Sequence, residues 1–207
     1  MDEYSLFAPV YDRVLDPFLK PVQERIVSLS RERGVRQCVD LCCGTGALAC
    51  RLGRAGVSCL GVDLSRDMLV QAEQKHCSGV RFLRSDAADS GLAEESFELA
   101  TICFALHEKP EPLRHSILAE ALRLLVPGGL LVVVDYSGPG RGWWPVRTLA
   151  ATVERVAGPQ HYRNFREYMD RGGLGVLLRQ CNIESDRTEL FHGGVTSMTT
   201  SKKPATA

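Results

Sequence analysis

The sequence has no surplus of either charge: 25 Lys and Arg stand against 25 Asp and Glu in 207 residues, which leaves no formal net charge. Such a chain has nothing in excess to neutralise a phosphate backbone, so nucleic acid is not expected as its substrate. Long apolar runs are missing as well, none approaching the ~20 residues a membrane helix needs. The start Met1-Asp2-Glu3-Tyr4-Ser5 has neither the basic residues nor the apolar stretch of a signal peptide, so a cytoplasmic protein without stable membrane insertion is expected. The eight cysteines include no C-x-x-C pair, which excludes the usual zinc and thioredoxin spacings. No metal site is expected, and the cysteines read as small buried hydrophobes in a reducing compartment, with Cys42-Cys43 as an adjacent pair of soft side chains. Internal repeats and low-complexity segments are also lacking.

What is present is an alternation of short apolar runs with helical patterns, the signature of a parallel sheet covered by helices. An amphipathic stretch at Pro17–Arg33 comes first. Strands are expected at Val35–Leu41, Val57–Val62, Val80–Leu83, Phe97–Phe104 and Leu130–Tyr136, with helices at Ala47–Arg54, Ser65–Lys75 and Pro112–Leu125. Pro127-Gly128-Gly129 is the stop that releases the last helix into the fifth strand. Glu184–Phe191 and Val195–Thr200, separated by His192-Gly193-Gly194, read as a hairpin, so one strand runs antiparallel. The organisation is that of a single domain: an N-terminal helical cover (1–34), a core (35–136), an insertion (137–173), a last helix and hairpin (174–200) and a polar, frayed tail (201–207).

Val39-Asp40-Leu41-Cys42-Cys43-Gly44-Thr45-Gly46 ends the first strand and opens a helix, placing glycines where the chain turns tightly and a ligand approaches closely. Gly44-x-Gly46-x-x-Ala49 also meets the loose dinucleotide pattern, so this loop alone does not separate a nicotinamide cofactor from an adenosyl one. Three carboxylates do. Asp40 lies inside the strand end, where it suits a cationic amino group and would repel a pyrophosphate. Asp63, at the end of the second strand, can accept from both hydroxyls of a ribose, and Asp86, after the third, from an adenine amino group. Together they describe a ligand with an ammonium, a diol and an adenine but no phosphate.

These residues resemble the class I S-adenosylmethionine-dependent methyltransferases, over Val35–Tyr136 and, through the hairpin, to Thr200. The resemblance implies an α/β Rossmann-like seven-stranded sheet in the order 3-2-1-4-5-7-6, with strand 7 antiparallel, helices on both faces and a helical lid insertion. It implies S-adenosylmethionine as cofactor, held among Tyr11, Asp40, Cys42, Gly44, Thr45, Gly46, Asp63, Leu64, Met68, Asp86, Ala87 and Phe104. One departure is Cys42, where the family's first loop glycine stands, which narrows the space beside the methionine part. The nearest branch is the ubiquinone/menaquinone-biosynthesis group. Phe104-Ala105-Leu106-His107 departs from the Phe-Gly-Leu-Arg-Asn run of the quinone enzymes, so a phospholipid headgroup or another small metabolite fits as well as a quinone.

Methyl transfer from a sulfonium chiefly requires alignment and exclusion of water. His107, just past the fourth strand, is the candidate general base, because imidazole titrates near neutrality. A small-molecule or lipid-like acceptor is expected among Tyr4 and Tyr11 of the cover, His107 and Tyr136 at the strand ends of the core, and Trp143, His161 and Tyr162 of the insertion. Tyr162, Phe165 and Met169 recur at helical spacing, which also suits a core stripe. Two rival readings are an NAD(P)-dependent oxidoreductase and a non-catalytic S-adenosylmethionine-binding module. Oligomeric state is left open.

Overall fold

A computed structural model describes residues 8–204, with side chains from Phe18 onward. Tyr4 lies outside the described residues, and so does the side chain of Tyr11. The order along the chain is α1 (Ala8–Glu32), β1 (Gln37–Leu41), α2 (Ala47–Arg54), β2 (Ser58–Asp63), α3 (Arg66–Glu73), β3 (Val80–Arg84), β4 (Phe97–Cys103), α4 (Glu111–Leu124), β5 (Leu125–Tyr136), α5 (Trp144–Val156), α6 (Pro159–Asp170), α7 (Leu174–Gln180), β6 (Arg187–Phe191) and β7 (Thr196–Lys202).

The strands form one seven-stranded sheet in the order β3-β2-β1-β4-β5-β7-β6. β7 pairs antiparallel with both β5 and β6, whereas β1–β5 pair parallel. The expected topology is therefore the observed one.

Alternate residues of the central strands feed two apolar layers, as the two-residue period of a strand requires when both faces are covered. On one face Leu99, Leu130, Val132 and Val134 pack with Val22, Ile26 and Leu29 of α1 and Leu48 and Leu52 of α2. On the other, Ala100, Ile102, Leu131 and Val133 pack with Ile117, Leu118, Ala121 and Leu124 of α4, Phe165 and Tyr168 of α6, and Leu174, Leu177 and Leu178 of α7. Local chemistry marks several boundaries. The Ser65 Oγ accepts from Met68 N–H (3.2 Å) and caps α3, while proline stands in the first turn of α5 and of α6, where a missing N–H costs nothing.

Three sequence expectations need correction. The tail does not begin at Ser201: β7 runs on through Lys202, because Lys203 N–H donates to the Gly129 carbonyl (2.9 Å) and Gly128 N–H to the Lys203 carbonyl (3.0 Å). These bonds also draw Pro127-Gly128-Gly129 into β5 as an irregular extension rather than a separate stop. Finally, the cysteines are not all free: Cys50 of α2 and Cys77, before β3, form a disulfide, since the α2–β3 packing brings their Cα atoms to 5.4 Å.

Candidate active site

A cavity opens at the carboxyl ends of β1, β2 and β4, where the strand order reverses between β1 and β4. That reversal spreads the following loops apart and leaves a crevice between them.

The loop leaving β1 is shaped by left-handed backbone. Cys42, Gly44 and Gly46 have φ of 57°, 54° and 70°. At Gly46 a Cβ would lie 2.5 Å from the Phe82 ring, so packing as well as φ demands glycine. At Gly44 a Cβ would meet nothing within 4 Å, so this stretch of backbone faces open space, as close approach of a ligand requires. Cys42 takes the same conformation without glycine's freedom, a strain of about 1 to 2 kcal/mol. Asp63 fastens the loop to β2: its Oδ2 accepts from Gly44 N–H at 2.7 Å and its Oδ1 from Ser65 N–H at 2.9 Å.

The electrostatics of this edge are unusual. Asp40 is buried and accepts a hydrogen bond from Thr101 Oγ1 at 2.6 Å, yet burial, aided by the nearby Asp63, pushes its carboxyl up to about 7. Asp63 is also raised by burial, against the two backbone N–H groups that hold its charge. An ammonium reaching Asp40 would restore its ionised form. Asp86, exposed on the cavity rim, accepts from Ala88 N–H at 2.9 Å.

Of the residues expected at the cofactor, Asp40, Cys42, Gly44, Thr45, Asp63, Leu64, Met68, Asp86, Ala87 and Phe104 line the cavity. Gly46 stands behind it, against Phe82. Sequence reasoning missed Leu19, Val22 and Gln23 of α1, Leu113 and Ile117 of α4, and the pair Glu108–Lys109. For the α1 and α4 residues no local signal exists, because ordinary helical positions reach the cavity only through packing. Glu108–Lys109 is visible as two charges immediately after His107.

The expected acceptor residues are brought together only in part, and not in the cavity. His107 lies behind the wall, buried, with Nδ1 2.8 Å from Asp135 Oδ1 and Nε2 3.3 Å from Glu154 Oε2. Despite the opposing cost of burial, these two carboxylates hold its imidazole protonated well above the usual range. His107 therefore occupies both ring nitrogens with protein carboxylates and is not among the groups that face the cavity. His161 Nε2 also meets Glu154 Oε2, at 2.5 Å, and Tyr136 donates its hydroxyl to Glu154 Oε1 at 2.6 Å. Burial works against the charge on Glu154, but these partners, His107 foremost, hold its carboxyl well below the usual range. Tyr162 packs against the core, and Trp143 is 64% exposed on the surface. Atoms of His107, Glu108 and His161 lie within 4.8 Å of one another, a grouping of metal-ligating types where the sequence suggests none.

A family model described as a methyltransferase domain matches residues 38–129, the stretch that holds the loop, all three acids and α4. The demethylmenaquinone methyltransferase of Paenarthrobacter aurescens (strain TC1) is 27% identical over 95% of this chain and 83% of its own length. The 2-phytyl-1,4-naphtoquinone methyltransferase of Thermosynechococcus vestitus is 28% identical, with 97% of both chains covered. Among solved structures, N-methyltransferase NodS from Bradyrhizobium japonicum in complex with S-adenosyl-L-homocysteine shares the fold, with a TM-score of 0.65 at 16% identity over 91% of this chain and 88% of that one. Neither an oxidoreductase nor a non-catalytic binding module is favoured by these relatives. No helix among the described residues is long and apolar enough to cross a membrane. The glycine loop with its acids, the sheet order and the matching methyltransferase domain agree, and the chain belongs to the class I S-adenosylmethionine-dependent methyltransferases.

Proposed function

We propose that this enzyme methylates a small, largely apolar acceptor carrying an ionisable hydroxyl, of the quinol type. When bound, S-adenosylmethionine supplies an electrophilic methyl group on a sulfonium. Asp40 receives the ammonium of the cofactor's amino-acid part, Asp63 the ribose hydroxyls, and Asp86 the adenine amino group, while Thr45, Leu64, Met68, Ala87 and Phe104 form the walls around them. The observation that carries the cofactor placement is Asp40, a buried carboxylate on the cavity wall beside the left-handed glycine loop, whose charge, disfavoured by burial, a cationic ligand would restore.

The acceptor side is built differently. Leu19, Phe104, Leu113 and Ile117 offer apolar surface, and Glu108 with Lys109 adds one charged pair, Lys109 Nζ lying 2.5 Å from Glu108 Oε1. That combination suits an aromatic or prenylated body with a single polar edge. The quinone-type substrates named for the two relatives point the same way. Few groups need to act on the reacting atoms, since alignment and exclusion of water account for most of the rate in a displacement at a methyl group.

Calorimetry with S-adenosylhomocysteine should show binding that Asp63→Ala weakens by about 2 kcal/mol, the scale for losing hydrogen bonds to a charged group. Methyl transfer should then be found with a reduced, short-chain 2-prenyl-1,4-naphthoquinol and be absent with phospholipid headgroups. Transfer to a headgroup and not to the naphthoquinol would replace this acceptor reading.

A further inference from the structure

Behind the β4 end of the cavity, side chains from four elements form a continuous polar chain. It runs from Asp135 of β5 to His107 (2.8 Å), from His107 to Glu154 of α5 (3.3 Å), from Glu154 to His161 of α6 (2.5 Å) and from His161 Nδ1 to Glu108 Oε2 (3.5 Å). Asp135, His107, Glu154 and His161 are all buried, whereas Glu108 reaches the cavity wall and pairs there with Lys109.

Such an array is costly to build. Taking ionised groups out of water costs several kcal/mol for each ion, and packed apolar side chains of similar volume are commonly as stable or more so. Further backbone support has been added: both Leu106 and His107 N–H groups donate to Asp135 Oδ2 (3.0 and 3.2 Å), and Asn164 Nδ2 donates to the Glu108 carbonyl (2.6 Å), fixing the turn that carries His107 and Glu108. The array is thus held at both ends, one in the sheet and one at the cavity.

The contacts run in series from one residue to the next. The two ring nitrogens of His161 face different carboxylates, Nε2 towards Glu154 and Nδ1 towards Glu108. One atom each of His107, Glu108 and His161 lies within 4.8 Å of the others, but both nitrogens of His161 are engaged by carboxylates, which links Glu154 to Glu108 through the ring. With Nε2–H donated to Glu154, the lone pair of Nδ1 is left facing Glu108, which is the geometry that takes up a proton from that carboxylate.

We propose that Glu108, rather than His107, removes the acceptor's hydroxyl proton, and that His161, Glu154, His107 and Asp135 position it and stabilise that proton. This inference rests on the quinol-type acceptor reading. The step balances within the site. The acceptor O–H bond breaks and an O–H bond forms on Glu108, while the electron pair stays on the acceptor. That pair makes the acceptor oxygen the nucleophile; S-adenosylmethionine, when bound, would supply the methyl group to which the new O–C bond forms, the S–C pair staying with the departing sulfur. The proton on Glu108 is shared with His161 Nδ1 and leaves to water when the cavity reopens. His107, already holding a proton between two carboxylates, serves as a positioning residue.

The test uses the whole protein with a series of substituted 1-naphthols of rising hydroxyl acidity as acceptors. In Glu108→Gln, S-adenosylhomocysteine should bind within about twofold of the parent while kcat falls about a hundredfold or more for the least acidic naphthol. The loss should shrink steadily towards a nitro-substituted naphthol that is already ionised in solution, and Glu108→Asp should recover part of the rate. His161→Gln should lose less, about tenfold, with the same dependence on acidity. An unchanged kcat in Glu108→Gln, or an equal loss for every naphthol, overturns the proposal, because a merely structural role would not follow acceptor acidity. A parent protein that binds S-adenosylhomocysteine but methylates none of the naphthols fails the acceptor reading, and this inference with it.

Discussion

Asp40 and Glu154 are both buried carboxylates at the carboxyl end of the sheet, and they are held in opposite states. Asp40, which accepts from Thr101 and has a like charge nearby, is pushed up to about 7, whereas Glu154, between His107, His161 and Tyr136, is held well below the usual range. Burial raises both; the partners decide the outcome. The cofactor edge leaves a charge to be completed by a ligand, while the array behind β4 completes its own. One region is therefore built at a cost that binding recovers, and the other as a finished electrostatic unit.

Removing the central acid should break the second region most. Glu154→Ala strands the protonated His107 beside a single carboxylate and leaves His161 and Tyr136 without their acceptor, and urea unfolding should report a loss of about 3 to 5 kcal/mol. S-adenosylhomocysteine affinity should change little, as Glu154 does not line the cavity. The mirror experiment sharpens the contrast. The folded state binds a proton at Asp40 that the unfolded state releases between about pH 4 and pH 7, so Asp40 lowers stability progressively as pH rises through that window. Asp40→Asn should remove that slope and, at pH 8, stabilise the apo protein by about 2 to 4 kcal/mol, since each tenfold difference in proton affinity between the folded and unfolded states is worth about 1.4 kcal/mol. The same substitution should weaken S-adenosylhomocysteine. A destabilised Asp40→Asn would mean that the carboxylate is satisfied without a ligand. The smallest effect belongs to the loop after β1: Cys42→Gly should relieve the left-handed strain at φ 57° and stabilise the protein by about 1 kcal/mol or less, glycine's greater unfolded freedom offsetting part of the gain. Thermal unfolding checks it.

The same contrast explains what can be read in advance. The cofactor edge is local: a strand, a left-handed loop and a helix start within residues 39–47, with one acid at each of the next two strand ends, and strand periodicity together with the family resemblance is enough to order the sheet. The array is not local. His107 stands out in the sequence, but Glu154 sits in a helix with no pattern to mark it, and its meeting with His161 depends on how α5 packs against α6. Trp143 misleads because an aromatic beside glycine suits a pocket as well as a surface; its neighbours place it on the outside. The disulfide between Cys50 and Cys77 is likewise illegible, because the spacing of two cysteines says nothing about the helix packing that brings them together.

The position of β7 has a consequence for how the chain comes to its fold during synthesis. β7 is inserted between β5 and β6, and its last pairs join Leu130 to Lys202 and Leu131 to Ser201. Until residues 196–202 have emerged, β5 has one unpaired edge along Leu130–Tyr136, and β6 has no neighbour at all in the sheet. The nascent chain can assemble β1 to β5 early, through short-range crossovers, but must keep an apolar strand edge exposed in the meantime. The final strand reads Thr-Ser-Met-Thr-Thr-Ser-Lys, rich in hydroxyls although nearly all of it is buried. A late-arriving strand of that composition can wait in water without seeking wrong partners, and closes the sheet only when its register with β5 is available.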